Sequence, residues 1–156
     1  MPRSFSIRIE GEVGGKGRPR TRVIWQSGKP LATIYPDPDS AKVERTIKQA
    51  AFVLMHGKPL FEGPVELVIE IWRQHPVSWS KAVRAANAGY FATGTPDVDN
   101  QAKLLMDAFN GTVWTDDKPV SDLVIRRRFS DQPAHVDVTV NELIRPPVSE
   151  GLFAQA

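Results

Sequence analysis

The chain contains no cysteine. That absence excludes a disulfide and any thiolate-held metal, and it agrees with a cytoplasmic location. Histidine is scarce, and His56, His75 and His135 fall in no metal-ligand spacing. They are read as structural or solvent-exposed, so any metal depends chiefly on Asp, Glu or backbone oxygen. No apolar run approaches the length of a membrane span. The opening MPRSFSIRIE lacks the apolar core of a signal peptide. The GxSxG, HExxH and Walker patterns are missing, and GGKGRPR lacks the G-K-[ST] ending of a phosphate loop. No internal repeat or linker divides the 156 residues. One domain over 1–145 with a loose tail at 146–156 is the simplest reading.

What the sequence does have is uneven charge. The net charge is only +2, too small to argue for a polyanionic partner by itself. Its distribution says more. KGRPRTR at 16–22 carries four cations and no acid, and RRR at 126–128 adds three more. The acids gather centrally, in TPDVDNQAKLLMDAFNGTVWTDD at 95–117, where five aspartates and one lysine surround an apolar helical run. A basic surface around an acidic centre suits a polyanion worked on by a metal. The plainer reading is a solvated surface of mixed charge.

Hydropathy patterning predicts an α+β fold. Phe5, Ile7 and Ile9 alternate with polar residues as in a half-buried strand, and so do Val65, Leu67, Ile69 and Ile71. TRVIWQSGKPLATIY reads as a hairpin around Ser27-Gly28. A helix follows, capped by Asp39 or Ser40 and ended by Gly57. SWSKAVRAANAGY suggests a short helix and a loop. The second main helix spans roughly 99–110, TVW begins a strand that stops at Asp116-Asp117, and SDLVIRRRF and HVDVTVNEL supply two more. The order β-β-(β)-α-β-α-β-β predicts a small mixed sheet with two main helices packed on it.

On a helix with about 100° per residue, Asn100, Lys103, Asp107 and Asn110 share one narrow arc and apolar residues fill most of the rest. Asp99 is then placed as the N-cap. Asp97, two residues earlier in an extended segment, points to the same side. Two carboxylates that close repel, unless a cation lies between them. A hard ion such as Mg²⁺ resolves the conflict, needing one or two carboxylates plus substrate phosphate. Asp116 or Asp117 can add a ligand, and Lys103 lies one turn from Asp99. Metal, carboxylates and lysine around one phosphate make a phosphodiester-hydrolysis site. Each feature also has a structural reading: D-x-D-N as a cap and turn, DD before KP as a polar turn, Lys103 as an i,i+4 partner of Asp99 or Asp107.

These residues resemble the RusA family of Holliday junction resolvases, the crossover junction endodeoxyribonucleases of phages and prophages. The likeness is carried by PDVDNQAKLLMDAFNG, VWTDDKPV and GKGRPR, and extends over most of 4–143. It implies a homodimeric, Mg²⁺-dependent endonuclease, with Mn²⁺ as a substitute, that cuts four-way junction DNA by paired symmetric nicks in a bacterial or phage-infected cell. The essential acids carry over to Asp97, Asp99 and Asp117, which are also the metal ligands, and the lysine to Lys103. Asp116 and Asn100 stay as additional candidates. Lys16, Arg18 and Arg20 are the expected DNA contacts, and Arg126 to Arg128 are left open between DNA binding and protection of a sheet edge. No membrane or small-molecule cofactor is implied. The chain departs from the pattern at Val13, a frequent proline, at Thr95, where a basic residue is common, and at Gln101, where leucine is common. The last is expected to change little. A non-catalytic protein that binds junction or duplex DNA is the alternative. A metal phosphohydrolase acting on small nucleotides is a third reading, with little use for KGRPRTR.

Overall fold

The computed structural model describes residues 1–15, 17, 20–35 and 38–145, with the backbone alone at 20–24, 26, 31–35 and 38. The expected tail at 146–156 lies outside the described residues. The elements are β1 (Ser4–Glu10), β2 (Arg20–Gln26), β3 (Lys29–Tyr35), α1 (Pro38–Leu54), β4 (Val65–Gln74), α2 (Lys81–Asn87), α3 (Val98–Phe109), β5 (Val120–Ser130) and β6 (His135–Glu142).

Four strands form a mixed sheet in the order β1-β6-β4-β5, and β2-β3 stands apart as a hairpin. The hairpin turns at Ser27 and Gly28, both with positive φ (53° and 73°), the backbone that a two-residue loop between twisted strands requires. In the main sheet β1 and β4 flank β6 antiparallel, and β5 runs parallel to β4. A parallel pair needs a crossover, and here the crossover is the segment holding α2 and α3.

Register converts alternation into rows. Phe5, Val140, Leu67 and Leu123 lie across the sheet in one row, and Ile7, Val138, Ile69 and Ile125 in the next. The third row is Ile9, Val136, Ile71 and then Arg127. Against these rows pack α1, through Ile47 and Ala51, and α3, through Leu104, Leu105, Ala108 and Phe109. Leu67, Ile69, Leu104, Leu105 and Phe109 are completely buried; each such side chain contributes about 1.5–3 kcal/mol relative to exposure. The opposite face of β1 and β6 is polar and paired. Arg8 Nε and Nη2 donate to Asp137 Oδ1 and Oδ2 at 2.7 and 2.9 Å, and Ser4 Oγ donates to Asn141 at 2.9 Å.

Three expectations need correction. TVW is not a strand. Residues 111–113 form a turn, and Trp114 makes only an isolated bridge to Asn110. Trp114 is buried because the turn folds it under α3, where its Nε1 donates to Asn110 Oδ1 at 2.9 Å and its ring meets Phe109 edge-on. Asp116 and Asp117 therefore sit in a bend before β5, not at a strand end. The N-cap of α3 is Asp97, with extended backbone (φ −65°, ψ 148°), while Asp99 lies in the first turn. The two carboxylates are thus brought together by a helix start and not by strand alternation. His75 and His135, read as structural or solvent-exposed, are structural: both are buried, the first stacked on Phe129 and the second against Trp72.

Candidate active site

The segment that delivers Asp97 is fixed from two sides. Residues 89–92 pair along the free edge of β5: Gly89 N donates to Phe129 O at 2.8 Å, Phe129 N to Tyr90 O at 3.0 Å, and Ala92 N to Arg127 O at 3.2 Å. Arg73 Nη1 then donates to Thr93 O at 2.8 Å, and Arg127 Nη1 donates to Pro96 O. These bonds hold the chain beside β5 until it turns into α3 at Asp97.

The result is a cleft of about 860 Å³ between α3 and β5. Asp97 and Asp99 from the start of α3, Lys103 one turn later and Asp117 from the bend all line it. Ala102, Met106, Leu123 and Ile125 form its apolar wall, and Arg127 closes one side. Asp116 is directed elsewhere. It lines a separate hollow with Phe61, Glu62 and Lys118, accepts a bond from Lys118 N at 3.1 Å and pairs with Lys118 Nζ at 3.1 Å. The side-chain bond from Lys118 first, then its backbone bond, holds the Asp116 carboxyl below the usual range.

Asn100 is exposed on the far side of the helix start, where its Cβ faces Gly15. A Cβ on Gly15 would meet Pro96 Cβ at 2.9 Å and Asn100 Cβ at 3.0 Å. Only glycine lets the backbone approach this closely. The basic stretch is therefore entered from a point in contact with the segment that carries Asp97. Lys16 and Arg18 themselves lie outside the described residues, and of Arg20 only the backbone is described, as the first residue of β2.

The sequence reading misses one residue beside the helix start and leaves a second open. Gln101, which the sequence marks only as a harmless departure, is buried. Its Nε2 donates to Val13 O at 2.7 Å, and its Oε1 accepts from Arg127 Nη1 at 3.3 Å. It ties the N-terminal loop and β5 to the helix start. A signal existed, since 101, 105 and 108 share the i, i+4, i+7 spacing of the apolar face. Arg127, left open with Arg126 and Arg128 between DNA binding and edge protection, is the second. Alternation separates it from Arg126 and Arg128, but only the neighbours of β5 decide which side faces the cleft.

Among the described residues, no three His, Asp or Glu side chains converge tightly enough to enclose a metal ion by themselves. The donors in the cleft are nonetheless those that a hard cation takes, carboxylate oxygens with room for water and phosphate. Asp97 stands at the N-cap yet makes no cap hydrogen bond with its side chain, although capping is the ordinary use of such a carboxylate. Its carboxylate, like those of Asp99 and Asp117, lines the cleft with the oxygen donors that such an ion prefers.

A family model described as Endodeoxyribonuclease RusA matches residues 10–141. A protein of Bacillus subtilis (strain 168), described as the uncharacterized protein YqaN, is 30% identical over 145 residues, covering 89% of this chain and 96% of the relative.

Proposed function

The chain belongs to the RusA endodeoxyribonuclease family, a family of Holliday junction resolving enzymes, and we propose that it cuts four-way junction DNA by paired, divalent-metal-dependent nicks. The observation that carries this reading is the shared cleft. Asp97, Asp99, Lys103 and Asp117 line it together, while the adjacent Asp116 does not.

Asp97, Asp99 and Asp117 would hold the ion, with Mg²⁺ the first candidate from its preference for carboxylate and phosphate oxygen. Such an ion, when bound, polarises the phosphate and lowers the pKa of water. The chain's own residues do the rest. The start of α3 turns its free N–H groups and the positive end of its dipole toward the cleft, which favours an anion there. Lys103 places a cation where negative charge develops on the phosphate oxygens. In the hydrolysis one P–O bond forms from water and one P–O bond to a sugar breaks. The apolar wall of Met106, Leu123 and Ile125 keeps bulk solvent from part of the cleft and strengthens these interactions. Lys16, Arg18 and Arg20 are proposed to hold the DNA backbone, with affinity that falls as salt rises.

The test is incubation with a labelled synthetic four-way junction and with matched linear duplex, with Mg²⁺ and with excess chelator. Symmetric nicking of the junction that requires metal, with far less cutting of duplex, supports the proposal. Equal cutting of both, or full activity in chelator, sinks it. Tight junction binding without any cleavage would instead support a non-catalytic binding protein.

A further inference from the structure

β5 carries three successive arginines, and strand alternation sends them to different places. Arg126 and Arg128 turn away from α3. Arg126 Nη1 lies 3.7 Å from Glu70 Oε1, and the Arg128 guanidinium sits 4.5 Å over the Phe91 ring. Arg127 belongs to the face that packs on α3, where its row across the sheet is otherwise Ile9, Val136 and Ile71. An apolar row that ends in a cation needs a reason.

Its surroundings supply one. Only one nitrogen of the guanidinium has described partners: Nη1 donates to Pro96 O and to Gln101 Oε1. Nε is buried and, among the described residues, has no hydrogen-bond partner. Both partners of Nη1 are neutral, and among the described residues no carboxylate forms an ion pair with Arg127. Arg73, held to Thr93 O, stands near enough to disfavour the charge. Burial first and then Arg73 pull the Arg127 pKa down, and Asp97 offsets only part of this. Arg127 is half-buried, and drawing part of a charge out of water without a counter-charge has a cost. Arg127 thus lines a cleft with three carboxylates while, among the described residues, neither it nor the nearby Arg73 is in an ion pair with one, and such an arrangement has room for an anion from outside.

We infer that Arg127 binds a backbone phosphate of the DNA strand lying in the cleft, held ready by Pro96 and Gln101. The inference rests on the proposed nuclease reading, which supplies the strand. A planar head with several donors suits phosphate oxygens better than a point charge does. One nitrogen is spent on fixing the side chain, so its orientation is set before substrate arrives. The competing role is a staple that only holds the Pro96 carbonyl.

The experiment is a junction-binding titration in chelator, by fluorescence anisotropy over a series of salt concentrations, for wild type, Arg127→Gln and Arg126→Gln, with a melting temperature for each. Glutamine removes the charge but keeps an amide donor for Pro96 O. A bound phosphate predicts that Arg127→Gln weakens binding and lowers the salt slope by about 0.9, while Arg126→Gln leaves the slope at its wild-type value. Arg127→Lys retains the charge and should keep the slope with weaker binding, and Arg127→Met, which also removes the charge, gives the slope comparison if the glutamine variant does not fold. Parallel salt lines for wild type and Arg127→Gln, with a lowered melting temperature, would make Arg127 a staple and overturn the inference. So would a slope lost with Arg126→Gln and kept with Arg127→Gln. A wild-type protein with no affinity for the junction would overturn the nuclease reading as well, whereas a binding and cleaving wild type with an unaffected Arg127→Gln removes only Arg127.

Discussion

Asp117 lines the cleft with Asp99 and Lys103, whereas Asp116 faces Lys118 in a separate hollow. The difference makes a direct prediction. Asp117→Asn should abolish single-turnover junction cleavage and leave binding intact or tighter, because one carboxylate less repels the phosphate less. Asp116→Asn should cleave at close to the wild-type rate. The reverse pattern in the same assay would move the essential acid to Asp116. Gln101 is the second residue whose role follows from where it sits. Gln101→Leu fills a similar volume but takes from Val13 O its bond to the Gln101 amide and leaves Arg127 Nη1 with Pro96 O alone. A buried polar group that loses its bond costs about 1–3 kcal/mol, so the denaturation midpoint should fall accordingly. An unchanged midpoint would mean that these groups find other partners when Gln101 is gone.

At the scale of elements, the register of β1 on β6 sets the three core rows. It is specified twice, by Phe5, Ile7 and Ile9 on the buried face and by the Arg8–Asp137 pair on the other. Shifting β1 by one residue would place Arg8 in the core and Ile7 outside it. The pair also links stability to pH. The bond from Arg8, opposed by partial burial, holds the Asp137 carboxyl below its ordinary value of 3.8. A group whose folded pKa is depressed contributes stability that is fully present above its unfolded pKa and fades as pH falls through the folded value. Asp137→Asn should therefore melt below wild type at neutral pH, and the two curves should converge as the pH drops below about 4. Melting temperatures that differ by a constant amount down to pH 2 would assign the effect to something other than this carboxylate.

For the molecule as a whole, paired nicks need two sites. A two-fold dimer presents equivalent sites to the equivalent strands of a symmetric junction, so we expect the protein to sediment at twice the mass of one chain. On a supercoiled plasmid carrying a cruciform, both nicks should then fall within the lifetime of one complex, giving linear product without a build-up of nicked circle. A monomer by sedimentation, or nicked circle as the lasting product, would count against the paired reaction.

Much of this protein is written in its local sequence. Alternation at Phe5-Ile7-Ile9, at Val65 to Ile71 and at Val136 to Val140 announces the core strands, because a strand's side chains repeat every two residues. The 3.6-residue spacing of Leu104, Leu105 and Ala108 announces the face of α3 for the same kind of reason. The gathering of Asp97, Asp99 and Lys103 with one of Asp116 and Asp117 is legible too, since like charges crowd together only where something offsets them, while the choice of Asp117 rests on the family resemblance. What local pattern does not hold is how separate segments meet. Val113 and Trp114 look like a strand because they are apolar, and they are buried by a turn because α3 lies above them. Asp97 became the cap where Asp99 was expected, since residues 89–96 are held to β5 and to Arg73 and Arg127 and thereby set where the helix starts. Asp116 and Asp117 differ only in the direction that the bend gives each. Arg127 faces the cleft because β5 pairs with β4 in one register and not another. Periodicity is a property of neighbours in the chain, and the sequence alone determines it; the side that faces the site depends on contacts between residues far apart in the chain, and only the tertiary structure decides that.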